Sequence, residues 1–140
     1  NFAYEIIQPN SKNNSEFLLF LKSKKITHII LAGYLKLIEK EIINQYRNKI
    51  INIHPALLPK YGGKGYYGDF VHKSVLDSKE SKSGITIHLV NEKYDDGKVL
   101  FQKEVLIDQL ETIDSLASKI HKLEHKYYPE IIEKYILNQL

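Results

Sequence analysis

Lys49-Ile50-Ile51-Asn52-Ile53-His54-Pro55 is the stretch from which the rest of the chain can be read. Its isoleucines suit a pleated, buried strand, and Pro55, which has no N–H to give, closes it. Side chains alternate along a strand, so Asn52 and His54 share one face while Ile51 and Ile53 take the other. Two neighbouring polar groups at the carboxyl end of a buried strand lie where open α/β sheets bind ligands. The same pattern also fits a strand end whose polar groups only satisfy the next loop. Taken alone, it leaves both readings open.

Working outward, residues 27–31 form a second strand, marked as buried by an uninterrupted apolar run. Residues 39–48 between the two read as a short helix. Upstream, residues 15–25 read as a helix with Asn14 or Ser15 suited to its N-cap. Residues 2–7 read as a strand, and 9–14 as the loop after it. Downstream, Pro55, Pro59 and the glycines at 62, 63, 65 and 68 mark a long loop. A helix over 69–78 follows, then strands over 85–90 and 99–107 joined through Tyr94-Asp95-Asp96-Gly97, a segment with hairpin chemistry. From Thr112 the chain reads as helical, with Pro129 starting its last helix. Strands alternating with helices predict an α/β fold around a mostly parallel central sheet, with residues 1–140 as one domain.

Composition narrows the function classes. Hydrophobic residues at 43% and charged residues at 26% fall in the globular range. Apolar runs such as Ile29-Ile30-Leu31-Ala32 are far too short to span a bilayer, and no signal-like segment opens the sequence, so no membrane partner is expected. Cysteine is absent, which excludes disulfide and thiol chemistry and fits a cytoplasmic location. Arg47 is the sole arginine among 20 basic residues, which argues against a nucleic-acid partner despite the net charge of +3. The chain opens at Asn1, contains no methionine and soon enters a strand-like segment. It reads as lacking a natural beginning.

Asp95 supplies a third polar group. An amide, an imidazole and a carboxylate together suit attack of an amine on a carbonyl. The amide can hydrogen-bond a developing oxyanion, imidazolium can stabilise or protonate it, and the carboxylate can orient the imidazole and relay a proton. Turn carboxylates are also ordinary turn formers, and spacing alone does not bring Asp95 to His54. Tyr61-Gly62-Gly63-Lys64-Gly65-Tyr66-Tyr67-Gly68 lacks the Gly-Lys-Ser/Thr ending and the glycine spacing of nucleotide loops. It reads as a surface loop, in position to cover a site. His121-Lys122-Leu123-Glu124-His125 matches a His-x-x-Glu-His zinc pattern. A third ligand well downstream has no room in the fifteen residues that remain, so two surface histidines are the better reading and no metal is expected. His88, between apolar neighbours in a strand, reads as a hydrogen-bonded structural histidine. His28 and His72 carry no signal.

Leu31-Ala32-Gly33-Tyr34-Leu35, Asn52-Ile53-His54-Pro55-Ala56-Leu57-Leu58-Pro59-Lys60-Tyr61-Gly62-Gly63, Gly84-Ile85-Thr86-Ile87-His88 and Tyr94-Asp95-Asp96-Gly97 occur in an order that resembles the phosphoribosylglycinamide formyltransferases of the folate-dependent formyltransferase superfamily. The resemblance runs from about residue 2 to the end. It implies a Rossmann-like fold, 10-formyltetrahydrofolate as formyl donor without a metal, and 5-phosphoribosylglycinamide as acceptor. Asn52, His54 and Asp95 match the family's catalytic Asn, His and Asp. Leu35, Lys36, Leu37 and Ile38 match one segment that holds the folate, with Asn52; Asn91, Glu92, Lys93, Tyr94 and Asp95 match the other. His121, Lys122, Leu123 and Glu124 match the segment that contacts the ribonucleotide; a homodimer is one assembly open to the chain, and the sequence does not fix the oligomeric state. The family's opening strand, Gly-rich turn and helix, whose N-terminus holds the substrate phosphate, have no match here. The chain therefore reads as the carboxyl-terminal two-thirds of such a domain. The loop after the catalytic strand is also longer than in some members, so its contacts do not carry over. Within the superfamily, formyltetrahydrofolate hydrolase, methionyl-tRNA formyltransferase and nucleotide-sugar formyltransferases are the alternatives, beside an inactive folate-binding fragment.

Overall fold

The computed structural model describes residues 14–140. The strand expected over 2–7, and most of the loop after it, lie outside the described residues. Eight elements follow in order: α1 (Asn14–Ser23), β1 (Ile29–Leu31), α2 (Lys40–Gln45), β2 (Ile50–His54), α3 (Asp69–Asp77), β3 (Lys82–Leu89), β4 (Val99–Leu106) and α4 (Ile113–Ile136). Asn14 and Ser15 lie inside the first turn of α1 rather than ahead of it.

The strands form one sheet in the order β1-β2-β3-β4. It is parallel at its start, where β1 pairs with β2, and antiparallel across β2–β3 and β3–β4. A short connection through residues 90–98 can only return the chain antiparallel, as the hairpin chemistry there predicted. At the β3–β4 seam Ile87 pairs with Phe101 but His88 with Val99, so Leu100 is one residue too many. Such a bulge locally re-aims the neighbouring side chains.

Because Ile50 and Ile51 are adjacent on β2, they face opposite ways, and each seeds its own core. Ile51 and Ile53 join Ile85, Ile87 and Leu89 beneath Leu116, Ile120, Tyr128 and Ile131 of α4. Ile50 packs instead with Leu21 of α1, Ile42 and Ile43 of α2, and Tyr46. Each fully buried isoleucine contributes about 1.5–3 kcal/mol by leaving water. The sheet is thus held from both sides, with its polar residues gathered where β2 ends.

α4 begins at a capping box in which Thr112 accepts from the Ser115 backbone N–H at 3.1 Å and Ser115 Oγ accepts from the Thr112 N–H at 2.9 Å. Pro129 does not start a new helix, contrary to expectation. It sits inside one continuous helix of 24 residues. Proline removes one ladder hydrogen bond, and tertiary contacts beside it hold the helix across the gap. Tyr128 OH lies 2.7 Å from the Leu31 carbonyl and 3.0 Å from that of Ile51, and Ile131 is buried in the core.

Candidate active site

β1 and β2 run parallel, so their carboxyl ends open on one edge, and a cleft of about 580 Å³ lies there. Asn52 and His54 line it from β2, Leu35 from the segment after β1, Tyr94 and Asp95 from the β3–β4 turn, and His121 and Glu124 from α4. The Gly-rich loop borders the same cleft through residues 63–68.

The local sequence explains how His54 is held. After Pro55 the chain is pinned to β3 by Thr86, whose hydroxyl donates to the Ala56 carbonyl at 2.6 Å and accepts from the Leu58 N–H at 3.0 Å. Gln102 of β4 donates to the Leu58 carbonyl at 2.9 Å. Tyr61 is anchored in turn by its hydroxyl, which donates to Glu80 at 2.9 Å. These ties bring the Tyr61 carbonyl to 2.7 Å from His54 Nε2. A carbonyl only accepts, so Nε2 carries the proton, and Nδ1 is left facing Asp95 Oδ2 at 3.6 Å.

Asp95 sits at φ +50°, in the left-handed region, which Asp tolerates better than most residues. The Gly63 N–H donates to its Oδ2 at 2.9 Å. Gly62 permits that approach: a Cβ there would stand 3.2 Å from Asp95 Cβ and collide with Leu58 Cδ2. The other oxygen, Oδ1, faces His88 Nε2 at 3.6 Å. Burial pushes the Asp95 carboxyl up, but His88, His54 and the Gly63 N–H together hold it below the usual range. Burial lowers His54, outweighing the opposing pull of Asp95 and the Tyr61 carbonyl. At neutral pH the resting pair is therefore a carboxylate beside a neutral imidazole.

Asn52, His54 and Asp95 converge, and the other expected residues divide. Leu35 and Tyr94 reach the cleft, as do His121 and Glu124, whose carboxyl is pushed up by burial. Lys36, Leu37, Lys122 and Leu123 do not line it, and Ile38 is buried in the α1–α2 core. Asn91 shapes the turn, accepting from the Lys93 N–H at 2.9 Å and donating to Asp96 at 3.2 Å. Glu92 pairs with Lys40 at 3.4 Å, and Lys93 with Asp96 at 3.8 Å. His125 does not line the cleft, and among the described residues no group of three or more His, Asp or Glu is placed to hold a metal.

Sequence reasoning missed four groups. His88 is hydrogen-bonded, as a structural histidine would be, yet it also faces Asn52 and Asp95. Its alternation with Ile87 and Leu89 was the available signal. The Tyr61 carbonyl and Gly63 N–H are backbone groups with no side-chain signature. His72, which carried no signal, is buried in the cleft wall, where its Nδ1 has no partner.

Arrangement and sequence agree on a class. The profile of the family described as formyl transferase matches residues 1–132, and the chain belongs to that family. It is similar to chloroplastic phosphoribosylglycinamide formyltransferase of Arabidopsis thaliana, with 47% identity over 118 residues, covering 84% of this chain and 40% of the relative. It is also similar to phosphoribosylglycinamide formyltransferase of Bacillus subtilis strain 168, with 39% identity over 136 residues, covering 96% of this chain and 67% of that one. The crystal structure of phosphoribosylglycinamide formyltransferase from Bacillus halodurans superposes with a TM-score of 0.82 at 31% identity, over 92% of this chain and 64% of that one. The chain thus spans about two-fifths of the plant relative's length and about two-thirds of the bacterial ones'.

Proposed function

We propose that this chain carries the catalytic and folate-binding part of an enzyme that moves the formyl group of 10-formyltetrahydrofolate onto the amine of 5-phosphoribosylglycinamide, a step of purine biosynthesis. The observation that carries this reading is the convergence of Asn52, His54 and Asp95 on one cleft, in a chain similar to proteins named for that reaction.

In this reading the amine attacks the formyl carbon. A C–N bond forms to the acceptor, and the carbonyl electrons move onto oxygen. Asn52 donates an N–H to that oxyanion. Neither nitrogen of His54 offers a free N–H in the resting geometry, since Nε2 is spent on Tyr61 and Nδ1 faces Asp95. His54 therefore acts through its charge, which a proton arriving at Nδ1 supplies. Asp95, ionised at rest, draws the proton from the attacking nitrogen and shares it with His54. Collapse of the intermediate breaks the bond from the formyl carbon to folate N10, which takes up the proton. The donor is already activated, so no metal or nucleotide energy enters.

Leu35, Lys36, Leu37 and Ile38, together with residues 91–95, would hold the folate largely through backbone groups, and residues 121–124 the ribonucleotide. The exposed side chains at Lys36, Leu37, Glu92 and Lys93 fit a folate held through main-chain groups. A cytoplasmic location and a homodimer go with this reading. The test offers 10-formyltetrahydrofolate, labelled in its formyl carbon, to the whole protein with three acceptors in parallel: 5-phosphoribosylglycinamide, methionyl-tRNA and water. Label is expected on the glycinamide nitrogen. Label on the transfer RNA, label released as formate, or folate binding without any transfer would each overturn the proposal.

A further inference from the structure

His88 stands directly opposite Asn52 in the β2–β3 register, one position from the bulge at Leu100. Its ring is only 2% exposed. Nδ1 lies 2.9 Å from the Leu89 carbonyl, which can only accept, so Nδ1 carries a proton. In the neutral ring Nε2 is then a bare acceptor. That nitrogen lies 3.3 Å from Asn52 Nδ2. A bare nitrogen takes a hydrogen bond from the amide NH₂ end and is repelled by its carbonyl end.

We propose that His88 is a positioning residue: its Nε2 accepts from Asn52 Nδ2 and so fixes which end of the amide faces the cleft, leaving the second N–H to receive the oxyanion. The contact itself is geometric; its use in catalysis rests on the formyl-transfer reading. The titratable groups that face His88 are Asp95, from the β3–β4 turn, and His54, from β2. A proton on Nε2 would reverse the arrangement. The ring would then donate to Asp95 Oδ1, now 3.6 Å away, and turn the amide nitrogen aside.

Two substitutions separate this role from simple core filling. His88→Asn keeps a donor near the Leu89 carbonyl but has nothing at the Nε2 position, whereas His88→Gln places an amide oxygen near it. In the whole protein, His88→Asn is expected to lower kcat for formyl transfer about 10- to 100-fold, the scale of loss when a catalytic group is misplaced by about 1 Å. KM for the folate should stay within about twofold, the melting temperature should hold, and His88→Gln should recover part of the rate. An unchanged kcat in His88→Asn, or a loss explained by a lower melting temperature, overturns the proposal. Nitrogen NMR of the unreacted protein gives a readout independent of turnover. A protonated Nδ1 with a bare Nε2 supports the contact, and a proton on Nε2 at neutral pH overturns it. A wild-type protein that transfers no formyl group overturns the reaction reading, and the nitrogen spectrum still decides for or against the His88–Asn52 contact.

Discussion

One carboxylate, Asp95, holds apart two imidazoles whose far nitrogens are tied to backbone carbonyls. Each ring is fixed by one strong contact, and its chemistry is left to the other nitrogen. A third histidine, His72, lacks even that tie, because its buried Nδ1 has no partner. Burial lowers the pKa of His54 and His72 alike, and in neither does the nearby aspartate, Asp95 or Asp69, compensate. The sign of the consequence follows by linkage. A histidine whose folded pKa lies below its unfolded value of 6.5 favours the fold fully above that value. That favour is lost as pH falls from about 6.5 toward the folded pKa, since the unfolded chain takes the proton first. The urea midpoint is therefore expected to fall between pH 7.5 and 5.5, and His72→Leu to make the fall shallower. Parallel profiles for the two proteins would show that His72 titrates as freely when folded as when unfolded.

Among the elements, α4 ties the sheet together. Tyr128 sits on it with one hydroxyl shared between the carbonyls of Leu31 on β1 and Ile51 on β2. Burial pushes that hydroxyl's pKa up, so it stays a donor at neutral pH. Tyr128→Phe should cost about 1–2 kcal/mol in urea unfolding, the usual loss for a buried hydrogen bond with its carbonyls left behind. Turnover should barely change, because Tyr128 does not line the cleft that holds Asn52, His54 and Asp95. A cost below about 0.5 kcal/mol would mean that packing alone holds α4 in place. Much of this layer was legible in advance. The isoleucine rhythm of β2 announced its two opposed faces, and the turn residues at 94–97 announced the hairpin. Pro129 misled because propensity records the missing N–H but not the tertiary contacts beside it. Strand direction was also hidden: periodicity marks residues 85–90 as a strand, yet it does not say which way they run beside β2. The site was legible only where side chains carry it. Asn52, His54 and Asp95 were open candidates by type and position, and the family resemblance singled them out, whereas the Tyr61 carbonyl and the Gly63 N–H have no residue-level signature. His88 was visible as a buried histidine, and only the register with Asn52 gave it a role.

For the molecule as a whole, two cores clamp the sheet from opposite sides, and the parallel strands β1 and β2 open their carboxyl ends on one cleft. Folate and acceptor are read as meeting there, with backbone segments gripping the pterin and side chains doing the chemistry. That division of labour separates binding from turnover, so one substitution can test it. Asp95→Asn keeps the size of the side chain and the oxygen that accepts from the Gly63 N–H, but removes the charge that draws a proton and favours imidazolium at His54. The decisive measurement compares formyl transfer and folate affinity in the whole protein with and without this change. The account predicts that turnover drops by at least about a hundredfold, the scale for losing a positioned acid–base group, while the Kd for folate stays within about twofold. Unchanged turnover, or a loss of folate binding large enough to explain the whole drop, would contradict it and leave Asp95 a residue that merely shapes its turn.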